Sequence, residues 1–204
     1  MTSTEPREIL VIGCGALAKE IEMLKQINGW QHLKLQCLDA ELHNHPHKIP
    51  AKVKEKIDLY RDRYSRIFVA YGDCGTGGGL DRLLEQEDIE RLPGAHCYAF
   101  YAGVDAFDQI AEEELGTFYL TDFLVRHFDR LMVRGLKLDT QPELMQIYFA
   151  HYKRLLYLSQ VLDDELIAQA EAAAAFLGLT FEHRHVGYGQ LQTSLAEQAV
   201  RVIE

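Results

Sequence analysis

The cysteines are the residues of this 204-residue sequence with the clearest capacity for chemistry. Cys14 and Cys74 each lie in a glycine-rich turn after a predicted strand, and Cys97 lies in a predicted fourth strand. Ligands of open α/β sheets gather at the carboxyl edge of the strands, so we expect these three thiols to converge there. Cys37 lies inside its predicted strand and is expected to be an ordinary core residue.

Three converging thiolates would suit zinc, or an iron–sulfur cluster that has one non-cysteine ligand. His43 follows the second predicted strand and is the candidate for the remaining ligand. Cys74 is also a candidate catalytic thiol, and Asp73 beside it would orient a ligand or act as a general base. The alternative is that each cysteine fills a tight turn, since free cysteine is often buried and the spacing contains no CxxC pair.

The first glycine-rich turn allows a different interpretation. Its sequence GCGALA at residues 13–18 matches the dinucleotide pattern GxGxxA, and Asp39 follows at a spacing suited to a ribose contact. Gly13 would form the turn, and Gly15 would let a pyrophosphate approach the backbone. This interpretation predicts a Rossmann-type nucleotide-binding oxidoreductase or transferase. A tight strand-to-helix turn would produce the same pattern without any ligand.

The second glycine-rich turn has glycine at four of the five positions 75–79. So many glycines at a helix entrance indicate close backbone approach to an anionic group, so a small anionic substrate is expected there. The residues expected to contact it are Gly75, Thr76, Gly77 and Gly78. A flexible surface loop is the alternative, and the turn lacks the Lys-Ser/Thr ending of an ATP-binding phosphate loop.

The elements that position these residues alternate between strand and helix in the first half of the chain. Apolar runs predict strands at 8–14, 33–38, 66–71 and 95–100, which indicates a mainly parallel sheet covered on both faces. The later segments 104–114, 119–134, 142–162 and 163–177 have helical periods, followed by a strand at 179–183 and a helix at 191–202. The expected fold is α/β, a Rossmann-like three-layer sandwich with a helical C-terminal half, in one domain over 1–204.

Charge and hydropathy exclude several classes of protein. The net charge is −10, from 21 Lys and Arg against 31 Asp and Glu, so nucleic acid is not an expected partner. No apolar run approaches the roughly 18 residues of a membrane span, and residues 1–8 are too polar for a signal peptide. We therefore expect a cytoplasmic protein without a membrane partner. Asp122 and Arg126 are expected to form a surface ion pair, unless Asp122 faces the sheet edge.

Five separate motifs together resemble one family. They are IGCGALA at 12–18, LHN at 42–44, YGDCGTGG at 71–78, HCY at 96–98 and GTFYLTDF at 116–123. This combination resembles the bacterial and archaeal proteins of domain of unknown function family 1638. The resemblance implies no established activity and no dinucleotide cofactor.

Members of that family are often encoded near corrinoid-dependent methyltransferases of the trimethylamine and glycine betaine type. The resemblance therefore implies a place in one-carbon or corrinoid-linked methyl metabolism, and together with the candidate cysteine ligands we expect a metal-dependent enzyme or accessory factor there. Its expected partners are a corrinoid protein or a methyltransferase. A non-catalytic partner of a corrinoid protein is a further alternative.

Overall fold

The computed structural model describes residues 8–201. Residues 1–7 and 202–204 lie outside the described part. Most of the polar segment 1–8 and the last position of the helix predicted over 191–202 therefore lie outside it as well. The chain divides into two compact units, one formed by Met1–Phe100 with Gly189–Glu204 and the other by Tyr101–Tyr188. Each unit has its own parallel sheet. This division does not decide the number of domains, so the single domain expected over 1–204 stays a prediction.

The first unit contains four parallel strands in the order β2-β1-β3-β4. The strands are β1 (Ile9–Cys14), β2 (Leu33–Leu38), β3 (Arg66–Ala70) and β4 (Glu90–Arg91). The helices are α1 (Ala18–Asn28), α2 (Ile49–Tyr60), α3 (Gly79–Glu87), α4 (Cys97–Ala102, which reaches the boundary of the unit) and α9 (Gly189–Val200). Short 3-10 turns occupy Gly15–Leu17, Ala40–Asn44 and Pro46–Lys48.

Strand β1 is the centre of the first core because helices cover both of its faces. Leu10 and Ile12 pack with Val53 of α2 in one buried cluster. On the opposite face, a Cβ at Gly13 would lie 3.3 Å from Ile21 Cδ1, so α1 packs directly on the strand. A strand buried on both faces has a continuous apolar sequence, as the ILVI run shows. The α/β class with a Rossmann-like three-layer arrangement is thereby confirmed.

The second unit contains three parallel strands in the order β5-β6-β7. The strands are β5 (Thr117–Leu120), β6 (Arg154–Ser159) and β7 (Thr180–His185). The helices are α5 (Val104–Glu113), α6 (Asp122–Arg126), α7 (Leu144–Phe149) and α8 (Asp164–Leu177), with a π-helical turn at Asp129–Arg134. Within residues 8–201, no helix has both the length and the apolar character needed to span a bilayer.

Two sequence predictions of elements are wrong. The strand predicted over 95–100 is absent, because the chain enters helix α4 at Cys97 and the fourth strand is the short β4. The helix predicted over 142–162 ends early, and its second half is β6, in which all six residues are buried. A strand buried on both faces lacks alternation, so its apolar run cannot be separated from a buried helix by period alone.

Candidate active site

The carboxyl edge of the first sheet brings Cys14 beside Tyr71. In the order β2-β1-β3-β4 the winding of the chain reverses between β1 and β3, and open α/β sheets bind ligands in the crevice at such a switch point. Cys14 is the last residue of β1. Because Gly13 pairs with Ala70 in the register of β1 and β3, Tyr71 continues β3 level with Cys14. Both residues therefore border the crevice.

The segment after β3 places Cys74 next to the start of α4. The backbone N–H groups of Asp73 and Cys74 donate to the carbonyl oxygens of residues 94 and 95, at 3.1 and 2.7 Å. A Cβ at Gly72 would lie 3.1 Å from the same carbonyl of residue 94, so glycine permits this close approach. Cys97 begins α4 two residues beyond the contact. The pairing thus explains why cysteines distant in sequence share one neighbourhood.

The three thiols lie within range of one another's charge. Burial raises the pKa of each thiol, that of Cys74 to about 12 and that of Cys97 well above its usual value. Cys14 further raises the pKa of Cys74, and both of these raise that of Cys97. These three thiols are near enough for their charges to interact, and we call Cys14, Cys74 and Cys97 the cysteine site.

Cys37 lies on the other face of the sheet. It pairs with Gly13 in the register of β1 and β2, and the Cβ direction at Gly13 points toward α1. Cys14 is one residue further and therefore faces the opposite side, with the α2 cluster. Burial, followed by the charge of Cys14, raises the pKa of Cys37 to about 11. Cys37 is thus separated from the cysteine site by the thickness of the sheet.

Sequence reasoning missed Tyr71, which lies at the centre of this site. The residue is 2% exposed, and within residues 8–201 its hydroxyl has only the Cys14 thiol, a weak acceptor, as a partner. Burial raises the pKa of the phenol, and the neighbouring Cys14 thiol raises it further. Burying a hydroxyl that is not well hydrogen-bonded costs about 1–3 kcal/mol, and a thiol recovers little of this, so the site favours a stronger polar partner. Only the residue type hints at this in the sequence, since buried tyrosine hydroxyls normally find partners.

Two histidines lie at the rim of the site. His43 is an exposed residue in the 3-10 turn after β2. The protein atoms packed around its imidazole, and then the charge of His96, lower its pKa. Burial also lowers the pKa of His96, and Asp73 opposes that shift. Both rings are therefore neutral near pH 7, the form that binds metal ions. His96 was not a predicted site residue, although its position next to Cys97 in the sequence could have identified it.

Asp73 organises the second glycine-rich turn. Its carboxylate accepts hydrogen bonds from the Thr76 hydroxyl and from the N–H groups of Gly77 and Gly78, the latter two at 3.1 and 2.9 Å. Burial would raise the pKa of Asp73, but these hydrogen bonds outweigh it and lower the pKa. Cys74, at φ +51°, adopts the left-handed conformation that is uncommon outside glycine. Asp73 therefore shapes the backbone that presents Cys74.

The residues of the dinucleotide pattern are accounted for by packing. A Cβ at Gly15 would lie 2.9 Å from the carbonyl oxygen of Leu38, so the exit of β2 already occupies the space beside this glycine. The Asp39 carboxylate accepts the Glu41 N–H at 2.9 Å and caps a 3-10 turn. The close approach predicted for a pyrophosphate is therefore made by the protein's own backbone. Nucleotide binding stays a prediction.

The comparison with protein families identifies the chain. A family model described as "Protein of unknown function (DUF1638)" matches residues 37–195. The chain belongs to this family. The resemblance carried by the five motifs is thus confirmed, and His43, Cys74 and Cys97 lie inside the matched region while Cys14 precedes it. No curated protein and no solved structure matches the chain significantly.

The positions of the possible ligand side chains can be compared with the geometry that a bound metal ion requires. Among residues 8–201, no group of three or more His, Cys, Asp or Glu side chains is placed so that it could hold a metal ion. In a tetrahedral zinc site, Zn–S bonds of about 2.3 Å require sulfur atoms about 4 Å apart. The thiols of this DUF1638 protein would therefore have to come closer together than the structure shows to bind one ion.

The ion pair expected between Asp122 and Arg126 is present, but it is not a surface pair, because Asp122 is buried at the edge of the second sheet. Its side chain is 1% exposed and accepts the Tyr157 hydroxyl at 2.7 Å and the Gln160 N–H at 2.9 Å. The Arg126 guanidinium forms the ion pair with it at 3.9 Å. Tyr157 and Gln160 lie far along the chain, so the helical spacing predicted the ion pair but not the burial of Asp122.

Proposed function

We propose that this DUF1638 protein holds a thiophilic metal centre, zinc or an iron–sulfur cluster, and is an enzyme or accessory factor of one-carbon or corrinoid-linked methyl metabolism. The proposed ligands are Cys14, Cys74, Cys97 and His43. The observation that carries the proposal is the buried Tyr71 hydroxyl, which lies at the switch point of the sheet and has only the weakly accepting Cys14 thiol beside it. A ligand bound to the metal would supply a stronger partner for this hydroxyl.

The thiols suit metal binding better than free nucleophilic catalysis. A nucleophilic cysteine requires a lowered pKa, which a neighbouring cation usually provides. Arg91 is near Cys74, but Asp81 already binds its guanidinium through two hydrogen bonds, at 2.6 and 3.0 Å. A soft metal ion would displace the thiol protons and bring its own positive charge, which buried thiolates need.

The surrounding residues define roles for the protein chain itself. Asp73 fixes the turn that carries Cys74. His43 would complete the ligand set once the thiols approach one another. Gly75 has an N–H that Asp73 does not bind, and we place the anionic group of a small substrate beside it. When bound, zinc with an open coordination position would stabilise an anionic thiol or water ligand.

Metal analysis of protein purified without oxygen tests the proposal. We expect near one zinc ion or one cluster per chain in the wild type and in Cys37→Ser, the matched control on the other face. The variants Cys14→Ser, Cys74→Ser and Cys97→Ser should retain less than about a tenth of that content while keeping the wild-type circular dichroism spectrum, because serine is a poor ligand for soft metals. Full metal content in all three variants, or a metal-free wild type after reconstitution, would contradict the proposal.

The metabolic assignment needs a separate measurement. The metal-loaded chain should change the rate of methyl transfer when it is added to a purified corrinoid methyltransferase system. The Cys74→Ser variant is the matched control and should have no effect. An unchanged rate with excess wild-type protein would leave the metal site but remove the corrinoid-linked role.

A further inference from the structure

The second unit carries a separate cluster of functional groups at the carboxyl edge of its own sheet. Ser159 ends β6 and is fully buried, and its Oγ lies 2.9 Å from His183 Nε2 and 3.1 Å from His185 Nδ1. The two histidines alternate along β7, so both rings lie on one face of the strand. The carboxyl edge of parallel strands is where α/β sheets bind ligands. None of these residues takes part in the cysteine site.

A rigid support holds the ring of His183. The imidazole stacks on the ring of Tyr157, with centroids 5.2 Å apart and planes 24° from parallel. The Tyr157 hydroxyl donates to Asp122 at 2.7 Å, and the same carboxylate accepts the N–H groups of Gln160 and Val161 at 2.9 and 3.2 Å. Burial and then the nearby His185 lower the pKa of His183, while Asp122 opposes the shift, so His183 is neutral near pH 7.

The geometry couples the tautomers of the two histidines. The Ser159 hydroxyl has one proton, so it donates to one imidazole nitrogen and accepts from the other. If it donates to His183 Nε2, the protons of His183 and His185 are both on Nδ1. If it donates to His185 Nδ1, both are on Nε2. In either state one outward ring nitrogen carries a proton and the other carries a lone pair.

We propose that His183, Ser159 and His185 form a proton relay that serves a small substrate carrying an oxyanion, with Arg126 holding that anion. The imidazole with the outward lone pair takes a proton from the substrate and passes its inner proton to Ser159 Oγ. The hydroxyl proton moves to the second imidazole, which returns its outward proton to another atom of the substrate. Each group ends neutral, no electrons leave the substrate, and the net reaction is a proton shift within it.

Arg126 is suited to hold the anionic group. Its guanidinium is partly exposed and its ion pair with Asp122 is long, at 3.9 Å, which leaves N–H donors for a further anion. Asp122 connects it to the relay, because the same carboxylate binds Tyr157, on which His183 stacks. Guanidinium groups bind carboxylate and phosphate through paired hydrogen bonds, which fixes the position of the bound group.

Nuclear magnetic resonance tests the relay directly. In protein labelled with ¹⁵N-histidine, long-range ¹H–¹⁵N correlations should show the same tautomer for His183 and His185 at neutral pH. In Ser159→Ala the two tautomers should become independent, whereas Ser65→Ala, which removes a hydroxyl bound to a backbone carbonyl in the first unit, should change nothing. Opposite tautomers in the wild type, or coupling that survives in Ser159→Ala, would overturn the relay. The wild-type spectrum decides the first point even if the variant folds poorly.

Titration with inorganic phosphate tests the anion site. Phosphate should shift the His183 and His185 resonances saturably, with at least tenfold weaker binding in Arg126→Gln. Arg134→Gln is the control, since Arg134 forms an exposed ion pair with Asp129 at 2.7 Å. Shifts that do not saturate, or equal affinity in Arg126→Gln, would overturn the assignment of Arg126.

Discussion

Replacing Tyr71 with phenylalanine should stabilise the metal-free protein. The change removes a buried hydroxyl that has no oxygen or nitrogen partner within residues 8–201, and it leaves the ring in its place in the core. Burying such a hydroxyl costs about 1–3 kcal/mol, and the neighbouring Cys14 thiol is only a weak acceptor that recovers little of it. We therefore expect Tyr71→Phe to raise the free energy of unfolding by about 1 kcal/mol or more. In a chain of this length, that increase corresponds to about 2–4 °C in Tm.

Tyr157 provides a matched control within the same chain. It is also fully buried, but its hydroxyl donates to Asp122 at 2.7 Å. Removing a hydrogen bond to a carboxylate costs about 1.5–3 kcal/mol, so Tyr157→Phe should lower the free energy of unfolding by about that amount. The two substitutions are chemically identical, and the difference between a weak thiol partner and a carboxylate partner gives them opposite signs.

Urea denaturation measures both variants after metal has been removed. Fluorescence of Trp30, the single tryptophan, reports unfolding of the first unit, and far-ultraviolet circular dichroism follows the whole chain. The reasoning is refuted if Tyr71→Phe loses as much stability as Tyr157→Phe, since that would mean the Tyr71 hydroxyl is satisfied. With metal restored, the same Tyr71 variant should lose its advantage, because the wild-type hydroxyl then has its partner.

Three further outcomes follow from the first unit. The variant Asp73→Asn should be less stable than the wild type at neutral pH by about 1–2 kcal/mol. Because folding lowers the pKa of Asp73, the stability that its carboxylate contributes is complete above the ordinary pKa of 3.8 and is lost as the pH falls through the folded pKa. The free energy of unfolding should therefore fall more steeply with acid in the wild type than in the variant. Gly15→Ala should cost about 1–3 kcal/mol in thermal unfolding, because its Cβ would meet the Leu38 carbonyl oxygen at 2.9 Å, and an unchanged Tm would contradict this contact. Calorimetric titration with NADH and NADPH should show weak binding or none, and micromolar binding abolished by Gly15→Val would instead favour the oxidoreductase.

The predictable part of the site follows from the parallel sheet. Strand β1 has a continuous apolar run that ends at Cys14, and β3 ends just before the turn that holds Cys74, so both cysteines could be placed at one edge. Cys97 was placed at the same edge for the wrong reason, because it begins a helix rather than lying in a strand. Cys97 comes close to Cys74 because the backbone of residues 73–74 pairs with that of residues 94–95. Backbone pairing does not depend on side-chain type, so the sequence shows no pattern for it.

The unpredicted part depends on contacts between distant residues. Asp122 receives its hydrogen bonds from Tyr157 and Gln160, which are 35 and 38 positions away. Ser159 meets His183 across neighbouring strands whose pairing was hidden, because β6 was interpreted as part of a helix. An error in one buried strand therefore concealed the whole cluster at the second sheet edge.

The second glycine-rich turn shows why an anion-binding pattern in sequence does not by itself identify a ligand. Glycines at a helix entrance predict N–H groups directed at a negative charge, and the structure contains such N–H groups. Here the negative charge is the Asp73 carboxylate, which accepts the N–H groups of Gly77 and Gly78. The aspartate precedes the glycines by only a few residues, so the turn can fold around its own anion. A sequence with an acidic residue just before such glycines therefore predicts a rigid turn first, and an anionic ligand only at amides that the acidic residue leaves free.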